Sequence, residues 1–343
     1  RKHIAPAFST TNLLPTMEYL NKNIHKVFNG FNEAAEAGCV IDMKEVALSL
    51  FIETLTKASF DVEFSGDDGK AFLDDLDIAL RERALQSMIS YRGYLFWSRG
   101  VRRSAKACQR MKAVIENVLQ TYREREEGGG DESTGHHQSI MHRIMSMHSS
   151  IYPSDDYRVS EIISFIIAGH ETSAFTFCFF LYEMTKNPEC KAKLQAALDA
   201  AITEGTPSHG QVSKVEYLSW CMKESMRLWP VAGSGSARTI LEDIEYNGMI
   251  LPKGSVVQTV YYAIFRSDWI DRPNEFIPER WSDENPQIHD LKDMFMPFAV
   301  GKRGCVGQNM AMMQLRLIAA NFLRFYDFEL KEDVEFEHFL TIK

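Results

Sequence analysis

Phe298-Ala-Val-Gly301-Lys-Arg303-Gly-Cys305-Val-Gly307 is the stretch on which the reading of this chain turns. One cysteine stands in a glycine-punctuated loop, with an arginine two residues before it and an aromatic seven before it. Gly301, Gly304 and Gly307 can take backbone angles closed to other residues and permit the close approach of a flat ligand. From Asn309 to Phe325 apolar residues then recur on a helical period. A cysteine just ahead of a helix start lies at the positive end of the macrodipole, where a thiolate is stabilised. A thiolate held in a rigid loop is a good axial ligand for haem iron.

The loop resembles the haem-ligand signature of the cytochrome P450 family, F-x-x-G-x-R-x-C-x-G. Phe298, Gly301, Arg303, Cys305 and Gly307 fill every fixed position. The competing reading, Cys305 as a small buried hydrophobe, is the usual fate of a free cysteine. Further motifs weigh against it.

Ala168-Gly169-His170-Glu171-Thr172 lies in an otherwise apolar helix expected over 154–186, where a polar cluster needs a reason. It resembles the family's A-G-x-[DE]-T element, which crosses the distal haem face. The resemblance implies that Gly169 leaves room for dioxygen, that Thr172 donates a hydrogen bond to the oxygen being activated, and that Glu171 relays protons from solvent. An acid beside an alcohol suits that proton delivery. Thr172 can also bond back to the carbonyl of Ala168 and bend the helix. His170 reads as a satisfied polar residue rather than an iron ligand.

Glu224 and Arg227 stand three apart, a spacing at which helical side chains meet. Downstream, Pro278-Glu-Arg280-Trp281 resembles the family's P-E-R-F/W element. The resemblance implies a structural Glu224–Arg227–Arg280 network beneath the cysteine loop, in place of a surface ion pair. Haem b, iron protoporphyrin IX, carries two propionates, and arginine pairs with carboxylates in a bidentate fork. Arg303 and Arg238 are the expected partners; Arg1 matches the arginine of the family's W-x-x-x-R element, without its tryptophan. Lys302 is expected to face solvent, where it could meet an acidic redox partner.

The chain has 343 residues, 45% hydrophobic and 25% charged, ample for a large core. A net charge of −9 argues against a nucleic-acid binder working by bulk electrostatics. Six cysteines without a C-x-x-C pair fit a reducing compartment better than a disulfide framework. The apolar segment 159–184 is interrupted by Glu161, His170 and Glu171, so it reads as a buried core helix rather than a membrane span.

Helices are expected over 11–37, 43–60, 69–91, 100–127, 154–186, 189–204, 214–228 and 309–325. The arginines and lysines of 100–127 read as a solvated face, with contact to a membrane surface as the alternative. Residues 128–135 form a glycine-rich flexible linker, and His136 and His137 after it read as solvated polar residues. Strand signals gather late, around a turn at Asn247-Gly248 and over 255–264.

The expected architecture is mainly α with a small β region: a single, partial cytochrome P450 catalytic domain over 1–343. Its start resembles the end of the family's third major helix and 339–343 a late strand. The family's N-terminal anchor, first helices, part of the sheet and last substrate-lining turn are expected to be missing. The resemblance implies a haem-thiolate monooxygenase acting on an apolar small molecule. Its electrons would come from an NADPH-dependent reductase or a ferredoxin-type donor, because no G-x-G-x-x-G fingerprint is present in the chain. Membrane association through that anchor is expected, at the cytosolic face of the endoplasmic reticulum or in another organelle. The alternatives are a P450-fold isomerase or dehydratase that uses peroxides without a reductase, and a non-catalytic haem-binding fragment.

Overall fold

The computed structural model describes residues 2–60, 62, 66–89, 91–128 and 139–331. Arg1, residues 129–135 of the expected linker, His136, His137 and the expected strand at 339–343 lie outside the described residues.

Helices dominate. α1 (Thr10–Glu36), α2 (Met43–Phe60), α3 (Gly66–Met88), α4 (Arg99–Glu127), α5 (Ile140–Met145) and α6 (Asp155–Lys186) come first. α7 (Pro188–Ala201), α8 (His209–Val212) and α9 (Glu216–Leu228) follow. The short α10 (Tyr261–Ile264) and α11 (Ile288–Met294) precede α12 (Gln308–Phe325), which closes the fold.

α6 is the axis. It packs against α2, α4, α7, α9 and α12. By length and composition it could cross a membrane, but its place among five other helices makes it the central helix of the core. Asp155 and Asp156 in its first turn and Lys186 in its last complement the helix dipole. It stops at Asn187, and Pro188 opens α7 at a position where no helical N–H is needed. Ser208 and Gln211 form a reciprocal capping box that starts α8.

The basic helix α4 buries Ala107, Met111, Ile115, Val118 and Leu119 along one stripe. Two of its arginines are not merely solvated: Arg110 grips Asp75 of α3, and Arg123 reaches Asp155 of α6 at 2.7 Å. Arg102, Arg103 and Lys106 are exposed.

The sheet region is small. β1 (Arg238–Thr239) pairs antiparallel with β4 (Val256–Val257), and β2 (Ile244–Tyr246) with β3 (Met249–Leu251). Asn247 and Gly248 both have positive φ, 49° and 75°, the geometry of a tight hairpin turn. The expected strand over 255–264 is corrected: only Val256–Val257 pair, and Tyr261 opens α10. Tyr261 is buried and stacks on Phe265, ring centroids 5.7 Å apart, so packing overrides the β preference of this Val- and Tyr-rich run.

Candidate active site

Cys305 sits between a 3₁₀ turn (Gly301–Arg303) and the start of α12, and its side chain is exposed. The loop is tightly folded. The Cys305 N–H donates to the Phe298 carbonyl at 2.7 Å, and the Gly304 N–H to Gly301 at 3.0 Å. Gly301 has φ of 72°. Ala299 has φ of 55°, a conformation that costs a non-glycine residue about 1–3 kcal/mol. Nothing in the sequence flags that strain at an alanine; the hydrogen bonds around it hold it in place.

A Cβ on Gly304 would lie 3.3 Å from the Gly301 carbonyl oxygen, so the turn closes on bare backbone. A Cβ on Gly307 would lie 3.9 Å from the Cys305 sulfur and 3.8 Å from the Phe8 ring. Phe8 is the bridge to the central helix: its ring is 6.1 Å from that of Phe165 on α6. Asn309 in the first turn of α12 donates to the Phe8 carbonyl at 3.0 Å. The cysteine loop and α6 are thus tied through one buried phenylalanine near the start of the chain.

On α6, Thr172 is exposed, and its hydroxyl donates to the Ala168 carbonyl at 2.7 Å. The back-bonded alternative is therefore the conformation observed. Glu171 is half-buried. His170 is buried and its Nδ1 lies 2.9 Å from the Ile166 carbonyl, with burial pushing its pKa down. That is a satisfied core histidine. A side chain at Gly169 would meet the Leu55 side chain of α2 at 2.8 Å, so the glycine also lets α2 pack closely on α6.

Arg303 and Arg238 are exposed, and neither meets a carboxylate among the described residues. Lys302 is exposed as well. Glu224 and Arg227 are fully buried, and Arg280 is 6% exposed. Glu224 Oε1 accepts from Arg227 Nη2 at 2.8 Å, Arg280 Nε at 3.0 Å and the Ile277 N–H at 3.0 Å. Its Oε2 accepts from Arg227 Nε at 3.0 Å and Trp281 Nε1 at 3.0 Å. The carboxylate is saturated. Arg227 also donates to the carbonyls of Phe265, Pro273 and Glu275, and Arg280 to those of Asp271 and Arg272. The irregular backbone over 265–281 finds its partners in these guanidinium groups instead of a ladder. Trp281's indole is a member that motif spacing does not show; only its adjacency to Arg280 hinted at it.

The family model described as cytochrome P450 matches residues 1–341. This chain belongs to the cytochrome P450 family. It is 26% identical to cytochrome P450 3A41 of Mus musculus over 341 residues, 96% of this chain and 67% of that protein. It is 36% identical to cytochrome P450 3A17 of Cavia porcellus over 177 residues, 51% of this chain and 35% of that one. Among solved structures it resembles a crystal structure of a cytochrome P450, CYP102L1, with TM-score 0.82 at 22% identity, covering 98% of this chain and 76% of that chain. The fold is that of a cytochrome P450, spanning about two thirds of the length of the relatives it matches end to end.

A cytochrome P450 is a haem-thiolate monooxygenase, and the residues present fit that group. One exposed thiol stands over a glycine whose missing Cβ keeps the sulfur's surroundings open. Two exposed guanidiniums lack a carboxylate of their own among the described residues. No cluster of three or more His, Cys, Asp or Glu able to hold a bare ion occurs among the described residues. Clefts of about 430 Å³ between α1 and α2 and about 400 Å³ between α2 and α4 include no residue of the cysteine loop.

Proposed function

We propose that the protein binds haem b through Cys305 and inserts one oxygen atom from dioxygen into an apolar small molecule, with electrons supplied by a separate reductase or ferredoxin-type donor. The observation that carries this reading is the exposed Cys305 thiol in its strained, hydrogen-bonded loop, tied through Phe8 to the helix bearing Thr172. When bound, the haem supplies a redox-active iron at which dioxygen is cleaved.

The chain's own residues do the rest. Cys305 Sγ would hold the iron, and an anionic sulfur there would push electron density toward it. Gly301 and Gly307 keep the backbone clear of a flat ring, and Phe298 packs beside the loop. Arg303 and Arg238 pair with the two propionates; the same role is proposed for Arg1. Thr172 Oγ1 accepts or passes a proton by turning its O–H between the Ala168 carbonyl and the reaction side, and Glu171 brings protons from solvent. Gly169, one turn before Thr172 on α6, leaves room beside the reaction space. Lys302, exposed on the cysteine loop, faces an acidic electron donor. In the whole protein an N-terminal anchor would hold the domain at a membrane, the cytosolic face of the endoplasmic reticulum being the expected site.

The experiment is spectroscopic. Haem-loaded protein, reduced under carbon monoxide, should show the strongly red-shifted Soret band of thiolate ligation. Cys305→Ser should abolish it, while Cys178→Ser and Cys221→Ser keep it. Retention of the band in Cys305→Ser would remove the ligand assignment and the reading built on it.

A further inference from the structure

A glycine stands inside α1 where nothing in the fold asks for one. Gly30 is helical, so it supplies no left-handed turn. A Cβ on it would meet no atom within 4 Å, so it lets no neighbour come close either. Inside a helix glycine is less favourable than every residue but proline. Two other helical glycines differ. A Cβ on Gly169 would strike Leu55, and one on Gly100 would strike the Glu82–Arg92 ion pair that clamps the start of α4.

Gly30 opens onto the cleft of about 430 Å³ between α1 and α2. Positions 26, 27, 30 and 31 border it on α1, and 45, 46, 49, 50 and 53 on α2, each set one face of its helix. Val27, Phe31, Ile41, Val46 and Leu50 make an apolar floor. That floor is held from beneath. Phe31 is buried, and its ring packs edge-on against Phe322 and Tyr326, centroids 5.6 and 5.4 Å away. The end beside Ile41 is pinned as well. Gly38, with φ of 63°, turns the chain out of α1. The Cys39 N–H donates to the Ala34 carbonyl at 2.8 Å, and the Lys44 N–H to the Asp42 carboxylate at 2.9 Å. The cleft is preformed.

Charge selects the occupant. The rim carries Glu45 and Glu53 from α2 and Lys26 from α1. No ion pair to any of the three occurs among the described residues. Two carboxylates against one amine leave the mouth net negative above an apolar floor. The cleft between α2 and α4 has the opposite character, with Lys57 and Arg125 among its lining residues and no glycine. A volume of a few hundred Å³ is that of a small-molecule site.

We propose that the α1–α2 cleft is a binding site for a small organic cation with an apolar body: the body lies on Val27, Phe31, Val46 and Leu50 in the space that Gly30 leaves open, and its ammonium group pairs with a rim carboxylate. Burial of the apolar body supplies most of the affinity. The carboxylates supply the choice of charge, because a rim ion pair alone is weak. No residue of the cysteine loop lines the cleft, so the site is separate from Cys305 and stands whether or not haem binds there.

The test titrates the haem-loaded 343-residue chain with naphthylmethyltrimethylammonium, which has no lone pair to offer iron. Calorimetry measures binding, and the Soret band is followed in parallel. The ion should bind saturably, with the Soret band unmoved, and more weakly as salt is raised. Neutral naphthylmethanol should bind roughly fivefold more weakly, the upper range for a surface ion pair, and naphthoate more weakly still. Glu45→Gln/Glu53→Gln should bring the ion down to the affinity of the neutral alcohol. Gly30→Leu should fill the cleft and abolish binding without lowering the thermal midpoint, because leucine is the better helix former and its Cβ meets nothing. Should leucine disturb α1, the glutamine pair still decides. No binding of the ion by the wild type would overturn the proposal, as would wild-type affinity in the glutamine pair or in a well-folded Gly30→Leu. So would equal affinity for the ion and the alcohol, or a Soret shift that follows occupancy; the first would make the cleft blind to charge, and the second would put the ion beside the iron.

Discussion

Two pairs of arginines in this molecule are chemically identical and physically opposite. Arg227 and Arg280 are buried with a carboxylate saturated by five hydrogen bonds and spend their other donors on backbone carbonyls. Arg303 and Arg238 stand in the open with no carboxylate among the described residues. A desolvated guanidinium must find all its partners inside the protein, so its role is to hold the fold. A guanidinium left exposed and unmatched is available to an anion from outside. The difference marks Arg227 and Arg280 as framework, while the outward role of Arg303 and Arg238 is the one proposed above.

The comparison breaks most sharply at Arg227. Arg227→Ala leaves Glu224 buried without its bidentate partner and orphans three carbonyls. A loss of about 3–5 kcal/mol is expected, enough to consume most of the stability of an ordinary domain. Chemical denaturation measures it; a variant as stable as wild type would put the pair in the class of surface salt bridges.

Trp281→Phe keeps the ring and removes only the N–H that reaches Glu224 Oε2. One hydrogen bond to a buried charge is lost, about 1.5–3 kcal/mol by the same measurement. A smaller effect would mean that Arg227 and Arg280 satisfy Glu224 by themselves.

Gly169→Ala tests which region the central glycine belongs to. Contact with Leu55 predicts an overpacking cost of about 1–3 kcal/mol in the unliganded chain, where a glycine that only made room for dioxygen would leave stability unchanged. Pairing the variant with Leu55→Ala should recover part of the loss, and a double-mutant cycle reads it.

Smallest in stability is Arg303→Ala, expected within about 0.5 kcal/mol of wild type because nothing inside the protein loses a partner. Its effect belongs to the ligand: haem should bind about tenfold more weakly, as for loss of roughly 1.4 kcal/mol, and titration of the unliganded chain with haem measures the ratio. Equal haem affinity with a large stability loss would move Arg303 into the framework class.

Much of this was legible in the sequence. The cysteine loop could be read because glycines and a cysteine at fixed spacing report backbone requirements directly. Helices α2, α6 and α12 could be read because their apolar residues repeat on a helical period over many turns. The hairpin turn at Asn247-Gly248 could be read because few dipeptides accept two positive φ angles in succession. Glu224, Arg227 and Arg280 could be read as a group from the resemblance of their motifs, not from chemistry alone.

What lay beyond the sequence shares one cause: it depends on which distant residue arrives. Gly169 meets Leu55, Gly100 seats the Glu82–Arg92 clamp, Phe8 joins the cysteine loop to α6, and Trp281 completes the Glu224 network. The short α5, α8, α10 and α11 also escaped, since four to seven residues are too few to show a period. By itself the sequence determined the helical frame and the tight cysteine loop, and motif resemblance the membership of the buried network, because spacing along the chain encodes local geometry. The tertiary structure alone decided which distant side chain each glycine meets and which arginines are buried against a carboxylate, because packing and desolvation are properties of neighbours in space.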